Sequence, residues 1–275
     1  MLTTRRVTAA LLALTLPLAP LPAVAETQRV QGLSFSRVLL QGAAEVEITQ
    51  GDSTELLLRG DEDDLARKPF YVGDDTLVLG ASRDGGSGDF DDVQFRLTLE
   101  SLAHLQLTGS GEMYVKPLVA EDLMVILAGT GDIRLFEITA DAVTLQVSGS
   151  GDIQAAKVVA GDLRMLLSGS GDIHVGELQA EAVGALVNGS GDVSVQESSG
   201  TLRKVEVNVV GGGDVDMGPV AAERADVNIV GSGSASLGEL ETLDVNIMGS
   251  GDVYYHGDPE ISRNVLGSGE LHRQR

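Results

Sequence analysis

Apolar residues recur along this chain two apart, break register, and then fall two apart again. In the stretch opening at Gly169 they are Ile173, Val175, Leu178, Ala180, Val183, Ala185 and Val187. The same offsets from Gly129 carry Ile133, Leu135, Ile138, Ala140, Val143, Leu145 and Val147. From Gly211 they carry Val215, Met217, Val220, Ala222, Ala225, Val227 and Ile229. A period of two interrupted by a corner predicts strand, corner, strand, and helical spacing of three and four is absent. Most of these residues are β-branched, as a pleated surface prefers. Each unit opens on a Gly-x-Gly turn, at Gly109, Gly129, Gly149, Gly169, Gly189, Gly211, Gly231, Gly249 and Gly267. The spacings are 20, 20, 20, 20, 22, 20, 18 and 18 residues. One structural unit is therefore stacked again and again.

Units of 18 to 22 residues are too short for a strand-helix-strand crossover between parallel strands. They fit one rung of an all-β, single-stranded, right-handed parallel β-helix with three sides of about five or six residues. The inward aliphatics of one rung cannot offset the cost of ordering its backbone, so rungs are stable only when stacked. The turn glycines are expected to supply positive φ at a sharp corner. Residues 26–100 alternate less regularly, through Val38, Leu40, Val46, Ile48, Leu56 and Leu58 and then Val93, Phe95, Leu97 and Leu99. They are punctuated at Gly51, Gly60, Gly73 and Gly85–Asp89. This part is expected to form irregular first rungs and a cap over the open end, within one solenoid domain spanning 26–275. Tyr254, Tyr255, Gly257 and Pro259 break the pattern again and suit the start of a cover at the other end.

Residues 1–25 read as a removable secretory signal peptide. Arg5 and Arg6 precede an apolar run from Val7 to Leu21, and Ala23-Val24-Ala25 supplies a cleavage site before Glu26. No later stretch reaches the roughly 18 apolar residues of a membrane helix. The chain has no cysteine, which excludes disulfides and a lipid-bearing cysteine. Its net charge of −22 repels nucleic acid and anionic lipid. The expected location is therefore periplasmic or extracellular, as a protein other than a lipoprotein.

Three sets of residues carry candidate chemistry. An acidic residue follows most turns: Asp132, Asp152, Asp172, Asp192, Asp214 and Asp252, with Glu112 and Glu270 at the ends and Ser234 interrupting. Rungs about 4.8 Å apart bring these like charges close together. Either each carboxylate accepts backbone N–H groups at its own corner, or calcium binds between them. The second set faces outward just before the last four turns. Asn208, Asn228, Asn246 and Asn264 form a possible amide ladder, with Val210, Val230, Met248 and Leu266 beside it. Ile126, Leu166 and Leu186 lie on the same side of earlier rungs. The third set, from Tyr114 through Arg134, His174 and Tyr254 to His272, is mixed and polar. His104, His174, His256 and His272 lack metal-ligand spacing. There is no Gly-x-Ser-x-Gly elbow and no phosphate loop.

Four features together resemble one known family. They are the Val46–Asp52 stretch, the alternating run from Val93 to Leu107, the serial Gly-Ser-Gly-Asp turns, and Gly251-Asp252-Val253-Tyr254-Tyr255-x-Gly257-x-Pro259 followed by Gly267-Ser268-Gly269. The chain resembles the putative auto-transporter adhesin, head GIN domain proteins of bacterial envelopes, over about residues 30–272. The resemblance implies a right-handed β-helix, export and an adhesin-like role, and brings no catalytic residues. An auto-transporter also needs a C-terminal membrane barrel. Arg275 follows the last turn too closely for one, so periplasmic retention and surface display are both open. The resulting expectation is an exported, non-enzymatic binding or scaffolding protein of the envelope. Its partner would be an envelope protein, a glycan or a second copy. The alternatives are a calcium-stabilised structural repeat and a polysaccharide-active β-helix enzyme.

Overall fold

The computed structural model describes residues 26–83 and 90–274. The expected signal segment and the Gly85–Asp89 turn lie outside the described residues. The chain forms the expected parallel β-solenoid. The strand Asp132–Gly149 is one rung, stacked in parallel register on Ile153–Gly169. Pairing runs through residues 133–135, 137–140 and 142–149 and skips Phe136 and Asp141, which are the corners. Three faces therefore exist, but they are unequal rather than five or six residues each. The face before the Gly-x-Gly turn holds three inward residues in unbroken alternation, Val143, Leu145 and Val147. The other two hold two each, Ile133 with Leu135 and Ile138 with Ala140, so the first is longer.

Spacing changes are absorbed at corners, so the long face keeps its register throughout. Leu178 pairs with Ser198, 20 residues on, whereas Ala182 pairs with Lys204, 22 on. The two extra residues sit at the Ser199–Gly200 corner, where Gly200 has φ 84°. The shortened rungs show register shifts between Ser236 and Glu239 and between Leu240 and Thr242.

The two glycines of each turn act differently. The first has φ between 131° and 145° in all nine turns, a region closed to side chains with a Cβ. The second has no such φ. A Cβ on Gly171 would instead stand 2.0 Å from the Gly151 carbonyl oxygen of the preceding rung. Its role is close approach of backbones. That approach lets Ser150 and Gly151 both donate N–H to the Gly129 oxygen, at 3.0 and 3.2 Å.

The N-terminal end departs from the repeat. Arg37–Gly42 and Glu45–Gln50 form the first rung, paired in parallel with His104–Gly109 and Glu112–Val115. On their other edges lie Thr76–Leu79 and Gln94–Leu99, also parallel. Antiparallel strands follow: Phe70–Gly73 on Thr76–Leu79, and Glu55–Gly60 then Glu26–Gln31 beyond Gln94–Leu99. A short helix, Glu62–Ala66, tucks Leu65 into the core. The Gln50 amide bridges the start of the third face. It donates to the Glu100 and Val119 oxygens, each at 3.0 Å, and accepts from the Val119 N–H at 2.9 Å. One continuous aliphatic core results, and no polar residue is buried among the described residues.

Candidate binding surface

The long face presents two outward rows. One runs in register from Leu39 through Gln106, Ile126, Gln146, Leu166 and Leu186 to Asn208, Asn228, Asn246 and Asn264. The other runs from Gln41 through Thr108, Ala128, Ser148, Ser168 and Asn188 to Val210, Val230, Met248 and Leu266. Neither row contains a charged residue, in a chain where 22% of residues are charged. All eight residues expected to form a contact therefore lie side by side. Val210, Val230, Met248 and Leu266 are 46%, 45%, 56% and 59% exposed. The amide ladder is made in part: Asn228 Nδ2 donates to Asn208 Oδ1 at 3.1 Å, and Asn246 Nδ2 to Asn228 Oδ1 at 3.2 Å. Asn264 follows in register.

In the C-terminal rungs the next outward row bounds this band with charge, at Glu206, Asp226 and Asp244. Lys204 lies 3.1 Å from Glu206 Oε2 and 3.0 Å from Asp226 Oδ2. The Asp226 carboxylate, and after it Glu206, raises the Lys204 pKa above the ordinary lysine value. Sequence reasoning found the four C-terminal rungs of the band and Ile126, Leu166 and Leu186 in earlier rungs, and missed the remainder of its extension to Leu39 and Gln41. The signal was available, because the first two odd offsets counted back from each of the nine turn glycines are uncharged.

The acidic turns bond between rungs, not at their own corners. Asp152 Oδ1 accepts the Asp172 N–H, Asp172 Oδ1 that of Asp192, and Asp192 Oδ1 that of Asp214, each at 2.9 Å. Asp214 and Asp252 do the same for Ser234 and Glu270, at 2.7 and 2.8 Å. The next N–H lies one rung up because the extended backbone after the turn points its amides along the stack axis. Asp132 turns away, to Arg134 Nη2 at 3.2 Å. Among the described residues no group of three or more Asp, Glu or His is placed to hold a metal ion. Asp172→Ala is expected to cost about 1 kcal/mol by orphaning the Asp192 N–H. Asp172→Asn keeps the acceptor and should stay within about 0.5 kcal/mol of the parent. Chemical denaturation of the two variants measures the difference.

The mixed polar side holds small clusters. Arg134 Nη1 donates to Tyr114 Oη at 2.8 Å and to Glu112 Oε2 at 3.1 Å. The Tyr114 hydroxyl donates to Glu112, and this bond, more than Arg134, holds the Glu112 carboxyl below its ordinary value. His174 Nδ1 meets Ser194 Oγ at 2.9 Å, and Tyr254 stacks on His272 at 5.0 Å. His104 and His256 join neither cluster.

A parallel solenoid, coiled about an aliphatic core and presenting a long uncharged β-face, defines the class of this protein. The chain belongs to the putative auto-transporter adhesin, head GIN domain family, whose description matches residues 34–199 and 194–259. It is similar to the crystal structure of a putative lipid binding protein from Parabacteroides distasonis, with 24% identity and a TM-score of 0.65 over 92% of this chain and 98% of that one. A putative adhesin from the same organism matches at 17% identity and TM-score 0.64, again over 92% and 98%. A putative adhesin from Parabacteroides merdae matches at 16% and 0.65 over the same shares. At these identities the likeness shows the fold. No curated protein sequence matches the chain. The family and these neighbours are described by adhesion or binding rather than by a reaction. No helix among the described residues is long and apolar enough to cross a membrane.

Proposed function

We propose that this is an exported, non-enzymatic binding or scaffolding protein of the bacterial envelope that works through its uncharged long face, and that the face pairs with a second copy of the chain. The observation that carries the proposal is the absence of charge from both rows in a molecule of net charge −22. Interface centres are depleted of charge, and contiguous apolar patches mark contacts. Elsewhere two copies would bring carboxylates together. On this face they would meet as flat sheets of matching rung spacing, about 10 Å apart. The rows contain no aromatic residue, which argues against stacking on a glycan. Export is read from residues 1–25 and is supported by the adhesin description of the family.

The test is Val230→Asp combined with Met248→Asp, followed by analytical ultracentrifugation and thermal unfolding. The parent should self-associate reversibly. The double variant should sediment as a monomer and unfold at the parent's temperature. A parent that stays monomeric at high concentration, or a variant that still associates, overturns the proposal.

A further inference from the structure

The N-terminal cap holds a feature that runs against the composition of the whole chain. A pocket of about 620 Å³ is lined there by Arg67, Lys68 and Arg83 together with Phe70, Tyr71 and Phe90. The chain has 41 acidic against 19 basic residues and is 3% aromatic. Among the described residues of its lining, three cations and three rings meet at one place, a local reversal of both tendencies. The volume falls within the roughly 300–1,000 Å³ usual for small-molecule sites.

Two of the cations, Arg67 and Arg83, are held in place by contacts of their own. The Arg67 guanidinium lies 4.8 Å from the Phe90 ring centroid and 2.5 Å from Asp64 Oδ1. Arg83 lies 5.9 Å from the Tyr71 centroid and donates Nη2 to the Val72 oxygen at 2.9 Å. The ring beside it and the bond to Val72 limit where the Arg83 guanidinium can sit, and a guanidinium suits a planar carboxylate. Lys68 supplies a second, independent sign. Its φ is 52°, in the left-handed region that a residue with a Cβ enters at a cost. Its backbone is held there by its N–H to the Leu65 oxygen at 3.1 Å. Asp74 and Asp75 share a positive φ, but of the three only Lys68 is placed at the pocket wall among the described residues.

We propose that this pocket binds a ring-bearing organic carboxylate. The carboxylate is received by Lys68 and Arg83, and the ring lies against Phe70 and Tyr71. Sugar acids and aromatic acids share this chemistry. Asp64 offsets the charge of Arg67, which leaves Arg67 to shape the wall beside Phe90.

Calorimetric or NMR titrations with glucuronate and with benzoate test the site, with glucose and acetate as controls for the ring alone and the charge alone. Saturable millimolar binding of one or both ring acids is expected, at least roughly tenfold tighter than either control. Glucuronate without benzoate identifies a sugar-acid site, and the reverse an aromatic-acid site. Lys68→Gly and Arg83→Gln should each weaken binding by about tenfold or more. Lys68→Gly should unfold at the parent temperature or above it, because it releases the backbone strain. Absence of binding by both ring acids, acetate binding as well as they do, or undiminished binding in either variant overturns the proposal. Val230→Asp with Met248→Asp leaves this pocket untouched, so failure here is separable from failure at the long face.

Discussion

Gly169→Ala is expected to destabilise the protein by at least about 4 kcal/mol, a size reserved for a few identifiable mechanisms. In a chain of this length that corresponds to an unfolding temperature lower by roughly 10 °C. Two effects add at this residue. Its φ of 137° lies where a Cβ is excluded, and that Cβ would stand 2.1 Å from the Gly149 oxygen of the preceding rung. The same oxygen accepts the N–H groups of Ser170 and Gly171, at 2.9 and 3.2 Å. Relief would therefore need the rungs to part and would break the ladder that stabilises each against its neighbour. Gly184→Ala is the internal comparison. Gly184 has an ordinary φ, and a Cβ there meets nothing within 4 Å. It should be neutral, or stabilising by up to about 1 kcal/mol through the unfolded chain. Thermal unfolding followed by circular dichroism separates the two. Equal effects would mean that the turn glycines are not set by rung contact.

The rung was legible because its information is local and repeated. Alternation at Val143, Leu145 and Val147 predicts a strand wherever it occurs, and nine copies average out the noise of any one. The positive φ of the first turn glycine was legible for the same reason. The reason for the second glycine was not, because the atom that excludes a Cβ at Gly171 belongs to Gly151, a rung away. The bond made by Asp172 was misread on the same grounds: the donor sits on the next rung, not at the aspartate's own corner. The cap was the least readable part. Thr76–Leu79 pairs beneath Arg37–Gly42, and Gln94–Leu99 beneath Glu45–Gln50. No period announces those partners, and antiparallel strands intervene. The pocket shares this obscurity, since Arg67, Arg83 and Phe90 meet only after the cap has folded. The uncharged band lies between these extremes. Its C-terminal rows were visible as Asn and Val positions, and its full length needed the register that stacking provides.

Val207 and Val210 lie on one strand, Thr201–Gly211, three residues apart and on opposite faces. Val207→Asp is expected to destabilise by about 4 kcal/mol or more, and Val210→Asp by no more than about 0.5 kcal/mol. Val207 is fully buried between Ala185 below and Val227 above, both in its own inward row and both apolar. A carboxylate there has no partner, and only its ionised form carries the full penalty of burial. The loss should therefore be smaller in acidic buffer than in alkaline buffer. Val210 stands in the uncharged outer row, 46% exposed, where an added carboxylate meets water. Urea denaturation at two pH values measures both effects on one strand. If Val210→Asp proved as damaging as Val207→Asp, the outer row would be part of the folded core of a single chain. A loss of association in Val230→Asp with Met248→Asp would then report unfolding and not a contact, so this pair of valines decides how that experiment is read.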